Sequence, residues 1–169
     1  MKRPSAIILL GGFGTRLRPF TLKHPKPLIS VLNQPMFHYL LSQLKAAGVR
    51  DIALALGYKA AHFRRLLGDG RSRGVRFFYS VEKEPLGTGG AIRKASKHVA
   101  GRAFVLNGDA LSDIDLKALA SFHARRKSEA TLTLTPVDDT SSFGVVRASS
   151  SIRSECSARE VQIFWPLMT

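Results

Sequence analysis

LLGGFGTRLRPFTLKHPKPLISV, residues Leu9 to Val31, turns a short apolar run into a glycine loop and then into a proline-bracketed lysine. The apolar run Ala6–Leu10 breaks at Gly11-Gly12-Phe13-Gly14-Thr15-Arg16, and Lys26 follows between Pro25 and Pro27. Glycines let backbone N–H groups approach an anion closely, and fixed cations then neutralise its charge. No carboxylate precedes Asp51, so nothing nearby in sequence cancels Arg16, Arg18, Lys23 and Lys26. The stretch reads as a strand feeding a phosphate site.

Working outward, strands and helices alternate. Ala6–Leu10 reads as a buried strand, and Pro35–Ala47 as a helix with Met36, Leu40, Leu44 and Ala47 at helical spacing. Pro35 suits its first turn, and Gly48 its stop. Asp51–Leu56 is a second strand and Lys59–Leu67 a helix ended by Gly68. Val75–Val81 is a third strand, and Thr88 can cap a helix running to about His98. Ala103–Leu106 is a fourth strand, ending in Asn107-Gly108-Asp109. Asp115 caps a helix to about Arg126, and Thr131–Thr135 is a fifth strand. This alternation predicts an α/β fold whose mostly parallel sheet is covered on both faces. Ligands of such sheets sit at the carboxyl ends of the strands. The loops at Gly11–Arg16, Glu82–Thr88 and Gly108-Asp109 are therefore expected to converge on one crevice.

Composition bounds the rest. The 169 residues make one domain by size, with 44% hydrophobic content and a formal charge of +14. A single cysteine, Cys156, excludes a disulfide framework and points to the cytoplasm. The first apolar run is about five residues, against roughly 18 for a membrane span, so no membrane association is expected. The basic residues are spread along the chain apart from a small group at Arg71 and Arg73, and do not alternate with aromatics as a nucleic-acid platform would. Nucleic acid is not the expected partner. The five histidines lack metal-ligand spacing and read as ordinary surface or core residues; Asp113 reads as a turn residue.

The phosphate chemistry narrows by elimination. No Walker A string occurs, and Leu17 stands where a dinucleotide fingerprint needs its third glycine. The motifs GGFGTRLRPFT and PKPL, with EPLGTGGAI and VLNGD following in order, resemble those of the sugar-1-phosphate nucleotidyltransferases. The resemblance runs from Lys2 to about Val146 and looks nearest to guanylyltransferases acting on mannose 1-phosphate or manno-heptose 1-phosphate. It implies a three-layer α/β/α Rossmann-like fold with a mixed sheet, here incomplete at the C-terminus, and a reaction joining a sugar 1-phosphate to a nucleoside triphosphate with release of pyrophosphate. A sugar phosphate oxygen is already ionised at neutral pH, so positioning and charge stabilisation replace a general base.

By that resemblance Arg16 and Lys26 are the catalytic candidates, gripping the triphosphate and the α-phosphate. Leu10, Gly11, Gly12, Gly14, Thr15, Gly87 and Thr88 are nucleotide-binding candidates, Gly144 a sugar-binding one, and Asp109 the ligand for Mg²⁺. Each has a plainer reading: a tight turn at Gly11–Gly14, a surface charge at Arg16, a linker residue at Lys26, a cap or turn former at Asp109. Glu82 stands where uridylyl- and thymidylyl-transferring relatives carry a glutamine. An acceptor-only carboxylate matches the adjacent N1–H and N2–H₂ donors of guanine rather than the mixed edge of a pyrimidine, so GTP is the favoured nucleotide; an exposed loop charge is the alternative.

The resemblance stops near Val146. Domain 1–147 is the expected nucleotidyltransferase unit and 148–169 a divergent tail, serine- and arginine-rich, without the Glu-Lys-Pro lysine or second metal aspartate of relatives. The tail reads as a truncated or frame-shifted end that leaves a sheet edge exposed and the chain less stable, or else as a divergent strand. Three functions stay open: a guanylyltransferase, a uridylyl- or thymidylyl-transferring member, or a non-catalytic nucleotide-binding relative. Homo-oligomerisation or partnership with a full-length homologue also stays open.

Overall fold

A computed structural model describes residues 3–12, 25–57, 60–134 and the backbone of 162–166. Strand β1 (Ser5–Leu9) lies near the middle of a six-stranded sheet. The other strands are β4 (Asp51–Leu56), β5 (Arg76–Val81), β6 (Arg102–Asn107), β7 (Thr131–Thr133) and β8 (Gln162–Pro166), in the order β5-β4-β1-β6-β8-β7. Ala6, Ile7 and Ile8 are wholly buried, as suits a parallel strand covered on both faces. β1 pairs in parallel with β4 (Ala6 opposite Ile52) and with β6 (Ala6 opposite Phe104), and β4 pairs in parallel with β5. β8 runs antiparallel to both β6 and β7. It comes from the segment that composition set apart as a tail.

Residues alternate between two cores because successive strand side chains point to opposite faces. Ala6, Ile8, Leu54 and Phe104 join helices α1 (Met36–Ala46), α2 (Ala60–Leu67) and α4 (Leu116–Arg126) through Leu40, Phe63 and Leu116. Ile7, Ala53, Ala55 and Val105 face α3 (Gly87–Ser96) through Ala91 and Ala95. This is the expected three-layer arrangement. Chain order explains its asymmetry. The chain steps outward from β1 through α1 to β4 and through α2 to β5, then returns across the other face through α3 to β6. Right-handed crossovers in opposite directions must use opposite faces. The reversal makes the junction of β1 and β6 the switch point of the sheet.

Local signals hold where a side chain acts on its own neighbours. Asp115 caps α4, its Oδ1 accepting from Lys117 N (2.8 Å) and Ala118 N (3.0 Å). Such a cap contributes about 1 kcal/mol. Thr88 does not cap α3: Leu86 is the residue before the helix, which has no side-chain cap, and Thr88 lies inside the first turn. The Glu82 carboxylate, reaching Leu86 N at 3.1 Å, holds that loop instead. The expected fifth strand is described only over Thr131–Thr133. A two-stranded hairpin, β2 (Ser30–Val31) and β3 (Gln34–Pro35), was not anticipated; its turn puts Leu32 and Asn33 at φ of 49° and 64°. No helix among the described residues is long and apolar enough to cross a membrane.

His123 is a core histidine, 1% exposed, with Nδ1 2.9 Å from Thr131 Oγ1. Burial, helped by the positive charge of Arg102, pushes its pKa below the ordinary imidazole value. The unfolded chain therefore takes up this proton at a higher pH than the folded one. Stability should be level above about pH 6.5 and fall as the pH drops below it. Melting temperatures at neutral and mildly acidic pH, with and without His123→Gln, check this. An equal acid loss in the variant would assign the effect elsewhere.

Candidate functional site

The carboxyl ends of the four parallel strands form one edge. β1 runs into Leu10, Gly11 and Gly12, and Leu10 N donates to Ala55 O on β4 at 2.8 Å. Leu10 is 5% exposed and packs in the core, so it offers a ligand only its backbone carbonyl. Beyond it Gly11 and Gly12 are exposed. Among the described residues nothing lies within 4 Å of a Cβ placed at either, which leaves that side open to an incoming anion.

β6 ends beside them. Gly108 N donates to Leu9 O at 2.9 Å, extending the ladder by one bond past the strand. A Cβ at Gly108 would run into Leu10 Cδ2 and lie 3.1 Å from Ile8 Cγ2, so this position admits glycine alone without rearrangement. The tight approach sets Asp109 at the switch point, with its side chain half exposed.

Lys26 reaches the same point from a different part of the chain. Pro25 fixes the entry to a 3₁₀ turn over Lys26–Leu28, and Pro27 is buried beneath it. Leu28 N and Ile29 N bond back to Pro25 O (2.9 Å) and Lys26 O (3.1 Å). The turn thus replaces the linker reading of Lys26, because the two prolines preset its backbone. Lys26 Nζ donates to Asp109 Oδ2 at 2.8 Å. A cation and a carboxylate 83 residues apart in sequence meet where the sheet reverses.

Glu82 opens the loop after β5, two strands from β1, and Gly87 closes it as the first residue of α3. That separation is about 10 Å, a span suited to a nucleotide whose base and phosphates contact different loops. Glu82 N still bonds Leu56 O at 2.7 Å, and its Oε2 holds Leu86 N. A base edge at Glu82 would share that oxygen with the loop. Gly87 adopts φ +67°, a conformation that favours glycine.

Gly14, Thr15, Arg16 and Gly144 lie outside the described residues, as does most of the tail. Two contributors went unread in the sequence. Gly57, at the carboxyl end of β4, would bring a Cβ to 3.8 Å from Gly11 O; the glycine directly after a buried strand was its signal. Gln43 on α1 donates to Ser112 O (3.2 Å) and Ile114 O (2.7 Å), fixing the segment after Asp109. Nothing local marks that role.

Among the described residues no three His, Cys, Asp or Glu side chains gather as a metal cage. One exposed carboxylate beside a glycine loop does fit Mg²⁺, which characteristically takes one or two carboxylates and completes its shell with substrate phosphates and water. Asp109 is the residue that would hold it.

Glycine loops, a lysine and an aspartate thus meet at the switch point of an α/β sheet. The chain belongs to the nucleotidyl transferase family, whose model matches residues 5–164. A mannose-1-phosphate guanylyltransferase of Mycobacterium tuberculosis is 44% identical over 142 residues, 83% of this chain and 40% of that protein. The chain thus spans about two-fifths of the length of such relatives. Among solved structures, a Bacillus anthracis protein provisionally named a glucose-1-phosphate thymidylyltransferase, in complex with sucrose, has a TM-score of 0.82 at 27% identity, covering 96% of this chain and 71% of that one. HddC from Yersinia pseudotuberculosis, complexed with GMP-PN, has a TM-score of 0.73 at 28% identity, covering 96% and 73%.

Proposed function

We propose that this chain binds GTP and a mannose-type sugar 1-phosphate and transfers the guanylyl group, giving a nucleotide-sugar and pyrophosphate. The observation that carries the reading is the Lys26–Asp109 pair at the switch point, beside the open backbone of Gly11 and Gly12. A sugar phosphate oxygen bonds to the α-phosphorus as the bond to the β-phosphate oxygen breaks, and pyrophosphate leaves with that electron pair. Lys26 places its ammonium against the charge that builds on the α-phosphate oxygens. Gly11 and Gly12 present backbone to the phosphates, and Arg16 grips the departing pyrophosphate. Gly14 and Thr15 extend the cradle, and Gly144 borders the sugar. Asp109 would hold Mg²⁺, which would neutralise charge on the phosphates. The ion pair keeps both groups aimed at the crevice before substrate arrives.

Glu82 supports guanine as the base, because a carboxylate accepts from both guanine donors and repels pyrimidine carbonyls. Glu82→Gln should narrow the preference for GTP over UTP and dTTP by about tenfold or more. An unchanged ratio would leave Glu82 with its loop-holding role alone. Pyrophosphate release with Mg²⁺, mannose 1-phosphate and each triphosphate tests the whole reading. Turnover with GTP supports it. GTP binding without turnover for any sugar phosphate would favour a non-catalytic nucleotide-binding relative, and preference for UTP or dTTP would assign the chain to a pyrimidine-transferring member.

A further inference from the structure

Of the basic group at Arg71 and Arg73, Arg73 has no part in the proposed reaction, yet the fold sets it in a pocket. We propose that the groove between α1 and the Arg71–Arg73 turn is a second binding site, for a small metabolite bearing phosphate groups. The groove has a volume of about 450 Å³ and is lined by His38, Leu41, Ser42, Lys45, Ser72 and Arg73. That volume falls in the range of small-molecule sites. Its lining offers an ammonium, a guanidinium, an imidazole and two hydroxyls over one leucine, with no carboxylate among them. Such a set donates hydrogen bonds and suits phosphate oxygens.

The groove is built rather than incidental. Arg73 Nη1 donates to Leu67 O (3.1 Å) and Ser72 Oγ (3.4 Å), and Nη2 donates to Leu66 O (3.3 Å). These bonds hold the guanidinium in place, and among the described residues Nε–H and a second Nη2–H make no hydrogen bond and can meet a ligand. The turn that carries it is pinned at both ends by glycines in the left-handed region, Gly70 at φ +84° and Gly74 at φ +74°. Gly70 also lies so close to the Phe77 ring that a Cβ would come within 2.7 Å of it. Across the groove, Lys45 extends over Gly74 and has no ion-pair partner among the described residues. The carboxylates nearby in sequence are engaged elsewhere: Asp69 with Arg71 at 3.3 Å and Asp51 with Arg76 at 2.7 Å.

Position separates this site from the first. Lys45 lies in the last turn of α1, ahead of β4, and Arg73 lies just before β5 begins. Both belong to the amino ends of the strands, whereas Gly11, Gly12 and Asp109 belong to the carboxyl ends. His38 and Lys45 are two helical turns apart on one side of α1, about 10 Å. A ligand with an anionic group at each end, such as a hexose bisphosphate, matches that spacing.

Amide NMR of the intact chain, titrated with glucose 1,6-bisphosphate and separately with inorganic phosphate, tests the proposal. The expected result is saturable shifts at Ser42, Lys45, Ser72 and Gly74. Lys45→Glu should weaken binding at least about tenfold while leaving GTP affinity unchanged. Because Arg73 also ties down the end of α2, the exposed Ser42→Glu serves as the second variant, with the same expected loss. Shifts confined to Gly11, Gly12 and Asp109 would place the anion in the reaction site only and overturn the proposal. So would shifts reproduced by sodium chloride at matched ionic strength. Stronger perturbation of these amides by a single-stranded oligonucleotide would overturn it in favour of nucleic acid.

Discussion

Lys26→Ala is expected to lower pyrophosphate release with GTP and mannose 1-phosphate by about 10²–10³, with little change in melting temperature. The two effects separate for a physical reason. The ion pair with Asp109 is substantially solvent-exposed, at 31% and 50% for the two side chains. An exposed pair contributes only about 0–1 kcal/mol to folding. The same ammonium against a phosphate sheltered by substrate works in a much lower dielectric, where its loss is felt in the rate. Lys26→Arg should not restore the rate, since a planar guanidinium cannot reproduce a compact charge at this turn. Steady-state turnover measured beside thermal melts checks both halves. Retained turnover in Lys26→Ala would remove Lys26 from the chemistry, and a large drop in melting temperature with turnover per folded molecule intact would make it structural.

Gly108→Ala should have the opposite profile, a stability loss of about 1–3 kcal/mol or more from overpacking. The added methyl group collides with Leu10 Cδ2 and Ile8 Cγ2, and both residues are in the main core. At this size each kcal/mol lowers the melting temperature by roughly 2–4 °C. Asp109 is the next residue, so metal and nucleotide binding should weaken too. A double-mutant cycle with Leu10→Ala isolates the cause. Leu10→Ala alone leaves a cavity, but in its presence the methyl group at 108 has room. The two losses should therefore be less than additive, and strict additivity would rule out the steric account.

How much was legible beforehand depended on the range over which each residue acts. The strand at Asp51–Leu56 was legible to the residue, because its short apolar run, too brief for a helix, is bounded by Gly48 and Gly57. Asp115 was legible as a cap because its oxygen bonds amides two and three residues away. Thr88 was misread: residues with the same local preference compete, and Glu82, four residues before Leu86, secures the entry to α3 instead. The tail carried no periodic pattern to announce β8, whose place beside β6 depends on pairing with strands remote in sequence.

The candidate site divides in the same way. Gly11, Gly12, Lys26 and Asp109 were all identifiable as residue types suited to phosphate chemistry, and their motifs carried the family resemblance. Their meeting was not. The partnership of Lys26 with Asp109, the clamp by Gln43 on the segment after Asp109, and the closeness of Gly57 to Gly11 all join distant stretches.

The sequence by itself determined the alternation of strands and helices and the glycine loop with its nearby cations, since each follows from interactions within a few residues. Only the tertiary structure decided that β6 lies against β1 rather than beyond β5. The return crossover on the opposite face makes that choice, and it alone brings Asp109 to Lys26. It also decided that a methyl group at Gly108 would collide with Leu10 and that Lys45 and Arg73 face one groove. Packing is a relation between residues far apart along the chain, and local pattern does not contain it.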